Sequence, residues 1–208
     1  MLDVDTLATF FLASLLLALA PGPDNIFVLT QSALRGKTAG ILVVLGLCTG
    51  ILVHTTAVAF GVAVIFQASA VAFTALKLCG AGYLLYLAWG AFRAPEQALA
   101  GGEAVGLTPG RLYRRGILMN VTNPKVSIFF LAFLPQFADP GRGPVSLQMI
   151  LLGGLFILAT ILVFGGIALL AGTLGGVLNR SPQVQRYMNR LAGTVFATLA
   201  LKLATARR

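Results

Sequence analysis

The sequence predicts an all-α integral membrane protein with six transmembrane helices. Of its 208 residues, 58% are hydrophobic and only 10% are charged, whereas a soluble domain carries roughly 25% charged residues. The mean hydropathy is +0.91, and no soluble fold of this size could bury so much apolar surface. A helix needs about 20 mostly apolar residues to cross the bilayer. Six such spans are predicted: 6–34, 39–66, 70–92, 116–137, 146–178 and 188–206.

The first span is interrupted close to its middle by two prolines. Proline removes a backbone donor and collides with the preceding helical turn, and in lipid the freed carbonyl groups need other partners. Such a break is therefore expected only against protein or beside a wet cavity. The interruption and the polar residues directly behind it are Pro21, Gly22, Pro23, Asp24 and Asn25.

The second span carries small residues and the only histidine at intervals of four. Gly46, Gly50 and His54 therefore share one helical face, which we expect to pack against protein and not against lipid. Histidine titrates near neutral pH and can relay a proton. A buried histidine that is hydrogen-bonded to a neighbour fits the same position, and both interpretations stay open on sequence alone.

The fourth span contains a second break at a depth comparable to that of the first. Asn123 and Pro124 form this break, and Lys125 follows directly. A cation at a helix N-terminus opposes the helix dipole, so Lys125 is expected to have an anion nearby, either Asp24 or a bound carboxylate. The polar connection before this span, 93–115, is predicted to be a flexible loop.

The remaining spans are more uniform. The fifth, 146–178, is rich in glycine, which lets helices approach closely in lipid. The third and sixth, 70–92 and 188–206, lack a proline break, and Cys79 in the third, like Cys48 in the second, is expected to be a buried, unpaired thiol.

The two broken spans are the first and the fourth of six. They divide a single 1–208 domain into equivalent halves, about 6–92 and about 116–206, joined by the 93–115 loop. Because three is odd, the second half is inserted with inverted orientation. Matching breaks in inverted halves point to a binding site near the bilayer midplane.

Basic residues are concentrated in the first, third and fifth connections between spans. The positive-inside rule places these connections in the cytoplasm and both termini outside. The basic C-terminal tail, Arg207 and Arg208, conflicts with this orientation, because it would lie outside. The basic residues that set this orientation are Arg35, Lys37, Arg93, Arg111, Arg114, Arg115, Arg180 and Arg186.

Asp24 is the one acidic residue well inside any span. A charge in mid-membrane is costly and usually functional, although an aspartate can also simply cap a helix. We expect Asp24 and Lys125 to share one central site, where they pair directly or through water when no substrate is bound. An amino acid would then place its ammonium group at Asp24 and its carboxylate at Lys125 and the free helix N-termini.

The chain resembles the LysE/RhtB superfamily of bacterial exporters of lysine, threonine, homoserine and similar compounds. The resemblance rests on the segment 20–25, on Leu76-Lys77 and Gly80-Ala81-Gly82-Tyr83-Leu84, and on Asn120 with the second break. It implies an inner-membrane exporter driven by an ion gradient, with protons as the expected ion. From the residues themselves, Asp24, with His54 second, is expected to hold the proton-sensitive position, because these are the few deeply placed titratable groups. The expected substrate-binding residues lie at and around the two breaks: Pro21, Gly22, Pro23, Asp24, Asn25, Asn120, Asn123, Pro124 and Lys125.

Other function classes fit the sequence less well. Basic residues are not interleaved with aromatic ones, so nucleic acid is not an expected partner. One histidine and one intramembrane carboxylate do not make the triad or metal site of a membrane-embedded enzyme, and no phosphate-binding loop is present. Charge rings or filter carbonyls of a channel are not apparent either. A metal-ion exporter of the same superfamily is the remaining alternative. No cofactor or bound metal is expected; homo-oligomerisation stays open.

Overall fold

The computed structural model describes residues 2–62, 70–94, 107–180 and 182–205, and within these ranges it contains helices and no strand. The all-α prediction is confirmed. The helices are α1 Val4–Leu19, α2 Pro23–Arg35, α3 Lys37–Ala57, α4 Ala70–Arg93, α5 Pro109–Val121, α6 Pro124–Ile128, α7 Val145–Arg180 and α8 Pro182–Thr205. Short π-helical and 3-10 turns extend α3 and α6 at Val58–Val62, Phe129–Phe133 and Leu134–Phe137.

A helix or a helix pair lies at each of the six predicted spans. Lys37–Gly61 and Val145–Ala171 are long and apolar enough to cross a membrane, and the bent pairs α1–α2 and α5–α6 each qualify when taken as one span. The pairs bend by 62° and 49°, which confirms that the first and fourth spans are broken at proline. Helices α4 and α8 fall outside that criterion, but each has 24 residues, or about 36 Å at 1.5 Å per residue.

The long helix α7 is the centre of the fold, because α1, α2 and α3 all pack against it. Helix α3 also packs closely on α5, and α4 packs on α8. At the α3–α5 crossing Gly46 faces Gly116, and a Cβ on Gly46 would collide with the Tyr113 carbonyl oxygen. Further along α3, Gly50 lies against Asn120. The prediction that this glycine face packs on protein is therefore confirmed.

Four fully buried phenylalanines form a compact cluster on one side of the two breaks: Phe10, Phe129, Phe130 and Phe133. Phe156 of α7 joins the cluster, with ring centroids 5.3 Å from Phe129 and 5.1 Å from Phe130. Such tilted and edge-on pairs are favourable beyond their burial alone. The cluster therefore fixes α1, α6 and α7 relative to one another beside the breaks.

The fold has two distinct faces. At the terminal face, Arg142 contacts Asp3 just before α1, and both line a cavity with Lys202 of α8. At the opposite loop face, the Arg35 side chain at the end of α2 donates to the Leu107 carbonyl oxygen just before α5. Helix α1 thus starts at the terminal face and α5 at the loop face.

Two sequence expectations are corrected by the structure. The predicted 93–115 loop is shorter, because α5 begins at Pro109, and positions 95–106 lie outside the described residues. Thr108 adopts extended backbone as the N-cap and proline suits the first helical position, so Arg111, Arg114 and Arg115 belong to a helix. Cys48 is buried as expected, but Cys79 is exposed on the outer side of α4.

Candidate functional site

The proline pair at the first break leaves carbonyl groups of α1 without their helical donors. In a helix the carbonyl of Leu17 would accept from residue 21, which is proline and has no N–H. The side chain of Lys125 donates instead, with Nζ 3.2 Å from the Leu17 oxygen and 3.0 Å from the Ala20 oxygen. Asn25 satisfies a third carbonyl, that of Ala18, at 2.8 Å.

Lys125 therefore has a different partner from the one expected. It is 8% exposed and holds the carbonyl end of α1, where the helix dipole is negative. The described ion pairs within 4.0 Å do not join Lys125 to Asp24, so of the two expected forms of pairing, direct or through water, the direct one is not found. The physical reason is that a broken helix end supplies two unbonded carbonyls and half a unit of negative charge.

Asp24 and Lys125 are nevertheless connected, through the side chain of Asn123. The Asn123 Oδ1 accepts from the Lys125 backbone N–H at 3.0 Å and so caps α6, while its Nδ2 donates to Asp24 Oδ2 at 2.8 Å. The capping bond fixes which end of the amide faces Asp24. The two breaks thus form one hydrogen-bonded unit.

Asp24 does not cap α2, which was the alternative explanation for an aspartate at this position. The N-cap of α2 is Gly22, which makes no side-chain capping bond, and Asp24 is the second helical residue. The first backbone N–H groups of α2 consequently have no intrahelical acceptor. Gly22 lies beside Lys125, since a Cβ there would be 3.3 Å from Nζ. The uncapped N-terminus of α2, the Lys125 ammonium group and the Asp24 carboxylate meet in one place.

At the second break, as at the first, a proline leaves a carbonyl group without its helical donor. The carbonyl of Asn120 would accept from residue 124, which is again proline. Instead the backbone N–H of Asn123 lies 3.1 Å from that oxygen and His54 Nε2 lies 3.2 Å from it. Because a carbonyl can only accept, Nε2 carries the hydrogen of this bond. His54 is therefore the hydrogen-bonded histidine of the two interpretations, and a role in proton transfer remains a prediction.

A small cavity lies between the breaks. Its volume of about 10 Å³ has room for about one water molecule. Within the described part of the chain, Asp24 Oδ1, Asn120 Oδ1 and Thr160 Oγ1 are buried and have no hydrogen-bond partner. The residues that line this cavity are Leu17, Ala18, Asp24, Asn120, Lys125, Val126, Phe156, Thr160 and Phe164.

The sequence-predicted residues thus divide into two groups. Asp24, Asn120 and Lys125 line the cavity, whereas the others form the frame around it: Pro21, Gly22, Pro23, Asn25, Asn123 and Pro124. Sequence reasoning missed the contribution of α7. Its signal is a polar residue between two aromatic ones at steps of four, which places Phe156, Thr160 and Phe164 on one helical face.

The described residues contain no group of three or more metal-ligating His, Cys, Asp or Glu side chains. Cys48 is packed in an apolar cluster with Leu47 and Phe164 among its members, and Cys79 faces outward on α4. Cys48, Cys79 and His54 thus do not form such a group within the described residues.

A second, larger cavity opens at the terminal face. Its volume is about 390 Å³. Arg142 bridges Asp3 at 2.5 Å and Asp139 at 3.1 Å beside it. Hydrogen bonds from Thr6 lower the pKa of Asp3, and the Arg142 charge acts in the same direction. This cluster ties the start of α1 to the turn before α7.

Comparison with known proteins places the chain among membrane translocators. The model of the LysE type translocator family matches residues 15–207. The homoserine/homoserine lactone efflux protein of Salmonella typhimurium is 33% identical over 198 residues, 95% of each chain. A protein of Vibrio cholerae serotype O1, described as an uncharacterized membrane protein, is 31% identical over 206 residues, 99% of this chain and 100% of that one.

More distant similarity extends to the leucine efflux protein of Salmonella choleraesuis. It is 25% identical over 198 residues, which cover 95% of this chain and 93% of that protein. No solved structure matches the chain.

Proposed function

The chain belongs to the LysE type translocator family, and from that premise we propose that it is a secondary exporter of amino acids or close derivatives across the bacterial inner membrane. Two relatives are named for the efflux of homoserine with its lactone and of leucine. The substrates in these names share an α-amino group and a carboxyl or acyl group on the same carbon. The proposed substrate is therefore defined by this head group.

The observation that carries the proposal is the arrangement of charges at the two breaks. Asp24 keeps one carboxylate oxygen without a partner among the described residues, and this oxygen is suited to an ammonium group. Lys125 and the uncapped N-terminus of α2 lie next to it and suit a carboxylate. A zwitterion can engage both groups at once, and Lys125 then exchanges α1 carbonyls for the substrate.

The space between the breaks, about 10 Å³, is smaller than an amino acid, so substrate binding requires the site to widen. Transport then requires α1–α2 or α5–α6 to move relative to α7 so that the site opens to one face at a time. The opposite directions of α1 and α5, from the terminal face and from the loop face, support the proposed inverted repeat.

We further assign the loop face to the cytoplasm and both chain ends to the outside. The loop face carries Arg35, and the positive-inside rule favours basic connections in the cytoplasm. With Cys48 and Cys79 replaced by alanine, an impermeant thiol reagent added to intact cells should label Gly141→Cys and not Gly101→Cys. Labelling at position 101 from outside would reverse this topology.

Coupling is proposed to use protons, with Asp24 as the proton-sensitive group and His54 second. Asp24 is buried, accepts one hydrogen bond from Asn123 and has one free oxygen. It can therefore take up a proton when the substrate leaves. His54 donates to the Asn120 carbonyl through Nε2, so a proton that it takes up binds at Nδ1 and strengthens this bond to the second break.

The proposed function is tested with the purified full-length chain in proteoliposomes. Internal homoserine or leucine should exchange with labelled external amino acid, and a pH gradient should drive net movement of the amino acid. Asp24→Asn should remove the gradient-driven component, whereas the matched variant Asp5→Asn, at an exposed position before the first break, should keep it. Absence of exchange with a panel of all common amino acids would refute amino-acid transport.

A further inference from the structure

Thr160 differs from the other buried serine and threonine residues of the described helices. Serine and threonine inside helices usually donate to the carbonyl four residues earlier. At least ten do so here: Ser14, Ser32, Thr49, Thr55, Thr56, Thr122, Ser127, Thr194, Thr198 and Thr205. The Thr160 hydroxyl has no partner in the described chain and is 1% exposed.

The position of this hydroxyl explains why the missing bond matters. A buried hydroxyl without a partner is unfavourable compared with one that is bonded. Thr160 lines the same cavity as Asp24 and Lys125, but it lies on α7, between Phe156 and Phe164. On the part of the cavity lining that α7 contributes, here called the α7 wall, Thr160 is the polar residue and its neighbours on the same helical face are Phe156 and Phe164.

The division of the cavity suggests separate roles for its walls. Asp24 and Lys125 suit the charged head group that all α-amino acids share, so they do not distinguish one side chain from another. The α7 wall faces what remains of the substrate. Phe156 and Phe164 accept apolar atoms, and the Thr160 hydroxyl can both donate and accept a hydrogen bond.

We propose that Thr160 is a specificity-determining residue that hydrogen-bonds a hydroxyl group on a short substrate side chain. The inference rests on the proposed amino-acid export and goes beyond it, because it names which substrates are preferred and which residue selects them. A substrate whose hydroxyl is replaced by a methyl group leaves Thr160 without a partner, and a site of this kind rejects such analogues. One neutral hydrogen bond corresponds to a preference of about tenfold.

The test uses pairs of amino acids that differ by a hydroxyl in place of a methyl group. Homoserine is compared with norvaline, and threonine with valine, as competitors of exchange in proteoliposomes that hold the purified full-length chain. The wild type should favour the hydroxylated member of each pair by about tenfold. Thr160→Val keeps the shape of the side chain and should bring the ratio close to one, mainly by weakening the hydroxylated member. Thr160→Ser should retain the preference.

Thr55→Val is the matched control. Thr55 is also buried, but its hydroxyl donates to the Ile51 carbonyl at 2.8 Å and does not line the cavity. This variant should keep the wild-type ratio. If the wild type exchanges both members of a pair equally, or if Thr160→Val leaves the ratio unchanged, Thr160 does not select the side chain. If the wild type exchanges no amino acid at all, the proposed function fails and this inference fails with it.

Discussion

Lys125→Met tests whether the lysine holds the broken end of α1. Methionine is similar in length to the lysine stem, but it donates no hydrogen bond. The variant leaves the carbonyls of Leu17 and Ala20 without the donor that lies 3.2 Å and 3.0 Å away. Since proline at position 21 cannot supply an N–H to Leu17, the usual helical donor cannot replace the lost bond to that carbonyl.

The size of the effect follows from these two bonds. A hydrogen bond to a charged group contributes about 1.5–3 kcal/mol, and the distances favour the lower value, so the loss is about 3 kcal/mol for the two together. For a protein of this length, each kcal/mol shifts the melting temperature by about 2–4 °C. Lys125→Met should therefore melt about 6–12 °C below the wild type.

The assay is thermal unfolding in detergent, followed by tryptophan fluorescence or by loss of the monodisperse peak. Lys37→Met is the control, because Lys37 is exposed at the start of α3, and it should melt within about 2 °C of the wild type. An unchanged melting temperature for Lys125→Met would refute the reasoning that the carbonyl end of α1 depends on this side chain.

Combining Lys125→Met with Asp24→Asn distinguishes the effect of these residues on stability from their effect on transport. Asp24→Asn keeps an oxygen that can accept from Asn123, so its stability should fall by less than about 1 kcal/mol. Both single variants should lose transport, and the double variant should be no worse than either, because the residues act as one unit. Two transport defects that multiply would mean that the breaks work independently.

Three further changes have clear expectations. Gly46→Ala should lower the melting temperature by several degrees because its Cβ collides with the backbone of α5. Gly154 has open space around it, so Gly154→Ala should leave the melting temperature unchanged. Equal melting temperatures for the two variants would refute the close α3–α5 crossing. Arg142→Ala should free the start of α1 and increase hydrogen exchange there, and unaltered exchange would argue against the tie. Because the pKa of Asp3 is lowered, its contribution is present above the unfolded pKa and is lost as pH falls through the folded value. Wild-type exchange at this end should therefore rise in acid more than in the Asp3→Asn variant.

The breaks and their charged residues were predictable because proline has a local and invariant effect on a helix. Pro21 and Pro124 each remove one N–H, whatever the tertiary structure, and a charge in an apolar span stands out in the sequence. Counting four residues back from each proline would also have located the carbonyls of Leu17 and Asn120. The prediction missed this step for Lys125, because it considered anions and not helix carbonyls as partners.

The contribution of α7 to the cavity and the start of α5 could not be predicted from the sequence, for a different reason. Thr160 is one hydroxyl residue in a long apolar helix, and only packing shows that its side chain meets the cavity. Helix α5 begins among arginines, so a search for apolar spans places its start too late. A helix that begins outside the hydrocarbon region is defined by Thr108 and Pro109 at its start and not by hydropathy.

The four half-helices at the breaks also have an electrical consequence. Helices α1 and α5 end at the site with negative dipole ends, and α2 and α6 begin there with positive ones, while ionised Asp24 and protonated Lys125 cancel each other. In that charge state the site carries no net charge with or without a zwitterion, and the proton that Asp24 is proposed to take up adds one positive charge. A membrane potential acts on moved charge at about 2.3 kcal/mol per elementary charge per 100 mV. Any voltage dependence of the proposed export would thus report the charge carried by the coupling ion and not that of the substrate.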